Sequence, residues 1–184
     1  MLIDHKRDKL INAIIYFATN TNNCGKVRLF KLLYFLDFEH FSETGRSVTG
    51  LDYYAWDKGP CPRVLFDEIQ DATKLDIKEK IEFGMIPTSK GEMLQIRPLK
   101  EFDPSHFSKR ELRLMQNLAN EFKNARAEEM IEASHLENLP WHQVYEVQNK
   151  KNALIPYEYA LKRQEKEEMH QHIKDTNEFW KDFE

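Results

Sequence analysis

The 184-residue sequence has few cysteines, no long apolar run and no excess of positive charge. Its two cysteines, Cys24 and Cys61, can form at most one disulfide, and the charged N-terminus is unlike a signal peptide, so we expect reduced thiols and a cytoplasmic protein. No segment approaches the roughly 20 apolar residues of a membrane-spanning helix. With 27 basic against 31 acidic side chains, no overall positive field attracts phosphate backbones. These absences disfavour membranes and nucleic acids as partners.

The sequence also lacks the short signatures of common enzyme classes. It contains no P-loop, no dinucleotide-binding glycine turn, no nucleophile elbow, no zinc-protease helix and no C-x-x-C pair. Ser134 and His135 are adjacent, but neighbours on a helix point about 100° apart and cannot form a hydrogen-bonded dyad. His170 and His172 would lie about 200° apart on a helix, so one metal ion would not bind both. We therefore expect no enzyme, no catalytic residue, no cofactor and no metal site.

What the sequence does contain is a strongly apolar helix near its start. A chain of 184 residues that is 41% hydrophobic and 12% aromatic can form one sizeable core. Apolar residues occupy nearly every face of a helix predicted over about residues 26–42, so this helix must be central. Its charged residues Lys31 and Asp37 need an explanation, because burying an unpaired charge is costly. Either Lys31 extends its amine to solvent and Asp37 meets a cation or hydroxyl at the edge, or both mark a partner site.

The remaining segments predict further helices and one small sheet. Gly45 suits the left-handed conformation that ends a helix, and period-two alternation over about residues 81–97 predicts a β-hairpin. Ser108 begins a capping box, and we expect Asn124 to cap the next helix and Pro156 to begin the last one. The predicted fold is therefore α+β and predominantly α-helical, a single-domain helical bundle around the central helix with the hairpin beside it.

The end of the chain differs in composition from the rest. Residues 1–160 are predicted to form one domain, and residues 161–184 a charged C-terminal helical extension. From residue 162 onward there are 5 basic and 7 acidic side chains, with three aromatic residues near the end. Such a segment docks either on its own domain or on a partner, and we favour the domain.

A loop between the central helix and the third helix is rich in aromatic and basic residues. It contains Tyr54, Trp56, Lys58 and Arg63. Aromatic side chains beside basic ones can stack on nucleic-acid bases, and they are also common anchors of protein interfaces. Because the chain is acidic overall, we predict that these four residues bind a protein partner.

Several short motifs carry a resemblance to a known family. They are Lys31-Leu32-Leu33-Tyr34, His40 at the end of the same helix, Gly45-Arg46-Ser47-Val48-Thr49-Gly50, Gly59-Pro60-Cys61-Pro62, and Ser134-His135 followed by Pro140-Trp141. On these motifs, residues 5–161 resemble the Panacea domain, also called the SocA-like antitoxin domain. We expect the following motif residues to be structural: Lys31, Tyr34, His40, Gly50, Gly59, Pro60, Pro62, Ser134, His135 and Trp141.

The resemblance implies an antitoxin from a bacterial or phage toxin–antitoxin pair. Such an antitoxin neutralises a toxin encoded by an adjacent gene through direct protein–protein binding, but the resemblance does not identify the toxin. Three alternatives stay open: a proteolytic adaptor that delivers the toxin to an ATP-dependent protease, a DNA-binding autorepressor that uses the basic helix from Lys109 to Arg126, and a hydrolase. The adaptor would need a protease contact, for which the C-terminal extension is the candidate.

Overall fold

The computed structural model describes residues 5–71, 75–88, 91–136 and 139–161. Its elements in chain order are α1 His5–Asn20, α2 Lys26–Thr44, β1 Tyr54–Trp56, β2 Gly59–Cys61, α3 Arg63–Asp71, α4 Leu75–Lys78, β3 Ile81–Thr88, β4 Gly91–Pro98, a 3-10 turn Pro104–His106, α5 Lys109–Glu121, α6 Ala127–His135, α7 Pro140–His142, a π-helical turn Gln143–Val147 and a final 3-10 turn Tyr157–Ala160. Two antiparallel strand pairs, β1–β2 and β3–β4, accompany the helices. The predicted fold class, predominantly helical α+β, is confirmed.

Helix α2 lies at the centre of the hydrophobic core. Its buried residues include Leu29, Leu32, Leu33 and Leu36, and it contacts α1, α5, α6, β2, β4 and the final 3-10 turn. This surrounding contact explains why nearly every face of the helix is apolar, because no face is left to solvent along most of its length. Gly45 ends the helix at φ 71°, and its N–H donates to the carbonyl of Phe41, as expected of a left-handed cap.

The predicted hairpin is formed by β3 and β4. The two strands pair in register from Ile81 opposite Pro98 to Thr88 opposite Gly91. Ile81 and Ile96 are buried at the base of the hairpin, where β4 packs against α1 and α2. The base therefore belongs to the core, whereas the tip extends away from it.

The capping box that begins α5 is also confirmed. The Ser108 hydroxyl accepts a hydrogen bond from the Glu111 N–H, and the Glu111 carboxylate accepts one from the Ser108 N–H. Glu111 is buried and its carboxylate lies 2.6 Å from the Lys9 amine on α1. The cap thus also ties α5 to α1.

Two predicted helix starts are wrong. The N-cap of α6 is Arg126 and not Asn124, because the Glu129 carboxylate accepts the Arg126 N–H at 2.5 Å and satisfies the first turn from within the helix. Pro156 precedes a 3-10 turn of four residues rather than an α-helix. The charged C-terminal extension lies outside the described residues from residue 162 onward. None of the described helices combines the length and the apolar character required to span a bilayer.

Candidate functional site

Motif residues from separate segments meet around the side chain of Lys31 on α2. Lys31 is only 3% exposed, and its amine donates to the Pro60 carbonyl on β2 at 2.9 Å. A Cβ atom added to Gly59 would lie 2.7 Å from both the Lys31 Nζ and the Ser134 Oγ, and Gly59 has φ +91°, a conformation that side chains rarely adopt. Only glycine fits at this point between the lysine and the serine.

The end of α6 and the start of α7 close the other side of this cluster. The rings of His135 and Trp141 stack with centroids 3.7 Å apart and planes 5° apart. The indole Nε1 of Trp141 donates to the Trp56 carbonyl at 2.9 Å. The ring of Trp141 therefore fastens α7 to β1 as well as to α6. We call this cluster the Lys31 clasp, and its members are Lys31, Gly59, Pro60, Ser134, His135 and Trp141.

The environment of the clasp favours uncharged side chains. Burial lowers the pKa of Lys31 to about 7, far below the usual value for a lysine. Burial, and then the nearby charge of Lys31, lower the pKa of His135. Burial raises the pKa of Cys61 to about 11, so this residue remains a thiol at neutral pH. The expectation that Lys31 extends its amine to solvent is wrong, because β2 and α6 cover it.

Five of the six clasp residues are buried, and His135 is half-buried. Ser134 is fully buried, and its hydroxyl donates to the Ile131 carbonyl at 2.8 Å rather than to His135. Both cysteines, Cys24 and Cys61, are free and buried. Within residues 5–71, 75–88, 91–136 and 139–161, no three histidine, cysteine, aspartate or glutamate side chains are placed to hold a metal ion. The arrangement holds separate segments of the chain together.

A second buried charge on α2 organises the turn that follows the helix. The Oδ1 atom of Asp37 accepts the N–H groups of Val48 and Thr49 at 2.8 and 2.7 Å. Its Oδ2 atom accepts the hydroxyls of Thr49 at 2.5 Å and Tyr53 at 2.8 Å. Burial raises the pKa of the Asp37 carboxyl, and these four hydrogen bonds act against that rise. Asp37 does meet hydroxyls, as expected, but inside the core and not at its edge.

The other motif residues support the same framework. Tyr34 is buried on α2 with its ring edge-on to Tyr53, at a centroid distance of 5.6 Å, and burial raises its pKa. His40 Nδ1 lies 2.7 Å from the Arg46 carbonyl, so His40 binds the turn after α2. Gly50 lies in that turn at φ 72°. Pro62 precedes α3, and its carbonyl accepts the N–H of Phe66 at 2.9 Å.

The four residues predicted to bind a partner lie on β1, the turn after it and the start of α3. Lys58 and Arg63 are exposed, and Arg63 lies 3.9 Å from Asp67. Tyr54 is half-buried, and Trp56 is half-buried with its ring edge-on to Phe66 at 5.1 Å. The two basic side chains are therefore accessible, whereas Trp56 also packs against the core. This placement leaves their binding role as a prediction.

A groove that the sequence did not predict lies between α2, α5, the end of α6 and the final 3-10 turn. Its volume is about 320 Å³. Phe35 and Phe122 line it and stack with centroids 5.3 Å apart and planes 7° apart. Glu39 and Glu121 add two carboxylates to the lining, and Leu136, which is 61% exposed, adds an apolar side chain. We call this feature the acidic groove.

The acidic groove shares a wall with the Lys31 clasp. Ala133 and Leu136 line the groove and flank Ser134 and His135 on α6, while Pro140 lines it directly before Trp141. One side of this segment therefore packs into the clasp, and the other side faces the groove. Residues that pack in the clasp therefore lie next to residues that line the groove.

The sequence matches a known protein family. A family model described as antitoxin SocA-like, Panacea domain, matches residues 29–142. No curated protein and no solved structure matches the chain. The matched range begins on α2 and ends at His142 on α7, so it contains every residue of the clasp and also Asp37. The chain belongs to the family of SocA-like antitoxins with a Panacea domain.

Proposed function

We propose that the protein is an antitoxin that neutralises a toxin encoded by an adjacent gene through direct, stoichiometric binding. Membership of the SocA-like family supports this role. The observation that carries it is the Lys31 clasp: Lys31, Gly59, Pro60, Ser134 and Trp141 are buried and hold distant segments together, and the Ser134 hydroxyl donates to a backbone carbonyl. A protein built in this way can act through its surface without catalysis.

The loop surface formed by Tyr54, Trp56, Lys58 and Arg63 is the proposed contact for the toxin. Lys58 and Arg63 are exposed, and the half-buried rings of Tyr54 and Trp56 lie on the adjoining strand. Aromatic and arginine side chains are frequent anchors of interfaces, because they contribute much area or many donors at little entropic cost. The clasp holds this strand in place through the Trp141–Trp56 hydrogen bond.

Co-expression with the product of the adjacent gene tests stoichiometric neutralisation. The two proteins should co-purify as a stable complex, and the purified antitoxin should restore the toxin-inhibited process only as it approaches one equivalent. Binding without turnover requires this dose dependence. Restoration at strongly sub-stoichiometric amounts would contradict the proposal and indicate an enzyme that acts on the toxin or its target.

Replacement of the accessible loop residues tests the contact surface. The triple variant Tyr54→Ala, Lys58→Ala, Arg63→Ala should weaken toxin binding by at least about 2 kcal/mol while its thermal midpoint stays nearly unchanged. A matched control on the hairpin and the segment after it replaces Met85, Arg97 and Lys100 with alanine, all of which are exposed. Full neutralisation by the folded loop variant would show that the toxin binds elsewhere.

A further inference from the structure

The acidic groove combines an aromatic base with an excess of negative charge. Glu39 on α2 and Glu121 on α5 line it, and Glu43 lies one turn beyond Glu39 on the same helix. Within the described part of the chain, no cation forms an ion pair with Glu39 or Glu121. The nearest pairing involves Glu43, whose carboxylate is 3.9 Å from the guanidinium of Arg110. Among the described residues, the carboxylates of Glu39 and Glu121 thus lie beside apolar rings without a cation paired to either.

The groove also raises the pKa of the Glu39 carboxyl. Loss of water at the groove, and then the carboxylates of Glu121 and Glu43, raise the pKa of Glu39 to about 7. A bound cation would favour the ionised carboxylate and reverse this rise. The titratable or charged groups around Glu39 come from three elements and are Tyr34 and Glu43 on α2, Arg110 and Glu121 on α5, and Tyr159 on the final 3-10 turn.

We propose that the acidic groove binds a basic segment of the toxin, with a lysine or arginine beside Glu39 and Glu121 and an apolar side chain over Phe35 and Phe122. This inference rests on the proposed function and deepens it, since it names a second contact and its chemistry. Grooves with an apolar base receive an anchor side chain from a partner segment, and a charged rim selects partners of opposite charge.

Charge argues against the two other possible occupants. A second copy of this chain carries a formal charge of −4. The segment from residue 162 to 184 contains 7 acidic against 5 basic side chains. Either occupant would bring additional negative charge to a surface that already has an excess of it. A basic segment from a different protein removes that excess, which favours the toxin.

The neighbouring clasp makes the groove a rigid receptor. Leu136 and Pro140 lie in the wall that the His135–Trp141 stack fastens to the core. On the opposite side, Phe35 belongs to α2, the most buried helix of the domain. A groove whose walls are already fixed loses little conformational freedom when a partner binds.

Charge reversal in the full-length protein tests the proposal. We expect the double variant Glu39→Lys, Glu121→Lys to bind the purified product of the adjacent gene at least 100-fold more weakly in calorimetry, with an unchanged fold by circular dichroism. The control variant Glu79→Lys, Glu101→Lys changes the net charge equally at exposed positions outside the groove lining, and should lose less than threefold.

The outcomes separate this inference from the function on which it rests. If the parent protein does not bind the adjacent gene's product, the proposed function fails. If the parent protein binds and neutralises it, and the groove variant does so equally well, the function stands and the groove proposal is overturned. Equal losses in the groove and control variants would also overturn it, because they would reflect net charge alone.

The pH dependence of binding supplies an independent readout. Because a basic partner favours ionised Glu39, affinity for the toxin should rise as the pH increases from 6 to 8, through the Glu39 pKa of about 7. Glu39→Gln should flatten this dependence. Groups that titrate on the toxin affect both proteins equally, so the difference between the two pH profiles reports on Glu39. An identical pH dependence in both would contradict the proposal.

Two further measurements examine the alternative occupants. Replacing Phe179 and Trp180 with alanine in the full chain should leave toxin affinity unchanged, and an increase would show that the chain's own end occupies the groove. Light scattering should give the same mass for the parent protein and for Glu39→Lys, Glu121→Lys. A parent dimer that the groove substitutions dissociate would assign the groove to a second copy instead.

Discussion

Lys31 and Asp37 are buried charges on the same helix, but the protein surrounds them very differently. Asp37 accepts four hydrogen bonds from the turn that follows α2, all from residues 48–53. Lys31 donates one hydrogen bond, to Pro60, and lies against Gly59 and Ser134. The carboxylate accepts its hydrogen bonds from residues close in sequence. The amine lies where segments distant in sequence meet, and it donates a single hydrogen bond there.

This difference shows two ways to accommodate a buried charge. Where donors are available, a carboxylate can organise a loop around itself. Where acceptors are few, the lysine pKa falls and the amine approaches neutrality, which lowers the cost of burying it. Asp37 therefore organises the turn next to it, whereas the lowered pKa of Lys31 reduces the cost of burying it where β2 contacts α6. Four substitutions test these two accounts.

Asp37→Ala should have the largest effect, because it leaves four buried donors without an acceptor. We expect a loss of about 5 kcal/mol in the free energy of unfolding, measured by urea denaturation with two spectroscopic probes. Asp37→Asn keeps the size and one acceptor oxygen, and should cost less. A loss below about 1 kcal/mol for the alanine variant would show that the turn does not depend on Asp37.

Trp141→Ala should have a slightly smaller effect, about 4 kcal/mol, because it deletes a large buried ring from the clasp. The same denaturation experiment measures it, and the melting temperature should fall sharply. Neutralisation would then be lost for want of folded protein. A variant that melts like the parent protein but no longer binds the toxin would place Trp141 in the interface instead.

Gly59→Ala should cost about 2 kcal/mol, since the new Cβ would have to displace the Lys31 and Ser134 side chains at a positive φ. Gly84→Ala on the hairpin is the matched control, because nothing lies within 4 Å of its added Cβ. Calorimetric unfolding of both variants gives the comparison. Equal stability would mean that the clasp is looser than its geometry indicates.

Lys31→Met should have the smallest effect, within about 1 kcal/mol at neutral pH, because replacing a buried charge with an apolar side chain of similar length is often neutral or stabilising. Its signature is the pH dependence. Between the folded pKa of about 7 and the unfolded value of 10.5, the unfolded chain binds more protons at Lys31. The parent protein should therefore gain stability relative to Lys31→Met as pH rises through this range, and parallel curves would contradict the lowered pKa.

Features that depend on local sequence could be predicted, and those that depend on distant packing could not. The cap at Gly45, the box at Ser108 and the hairpin each follow from a few neighbouring residues. Arg126 displaced Asn124 as a cap because the Glu129 carboxylate supplied a competing acceptor. The exact residue at which a helix begins therefore depends on which nearby side chain accepts its first backbone N–H groups.

The candidate sites were harder to predict. The family motif contains all the residues of the clasp, but the sequence left open whether the Lys31 amine extends to solvent or marks a partner site. Nothing in the helix itself shows that β2 and α6 will cover it. The acidic groove could not be predicted at all. Its walls come from segments far apart in the chain, and only the tertiary arrangement brings Glu39 and Glu121 to the same surface.

The chain order of the clasp also determines when it can form during synthesis. Trp141 follows Lys31 by roughly 110 residues, so at typical elongation rates the indole emerges on the order of ten seconds after the lysine. Until then the lysine side chain belongs to an incomplete nascent chain, where it is hydrated and protonated. Closure of the domain then shifts the amine toward release of its proton. A newly made molecule can therefore cover Lys31 only after translation has passed Ser134, and can complete the stack on His135 only after it has passed Trp141.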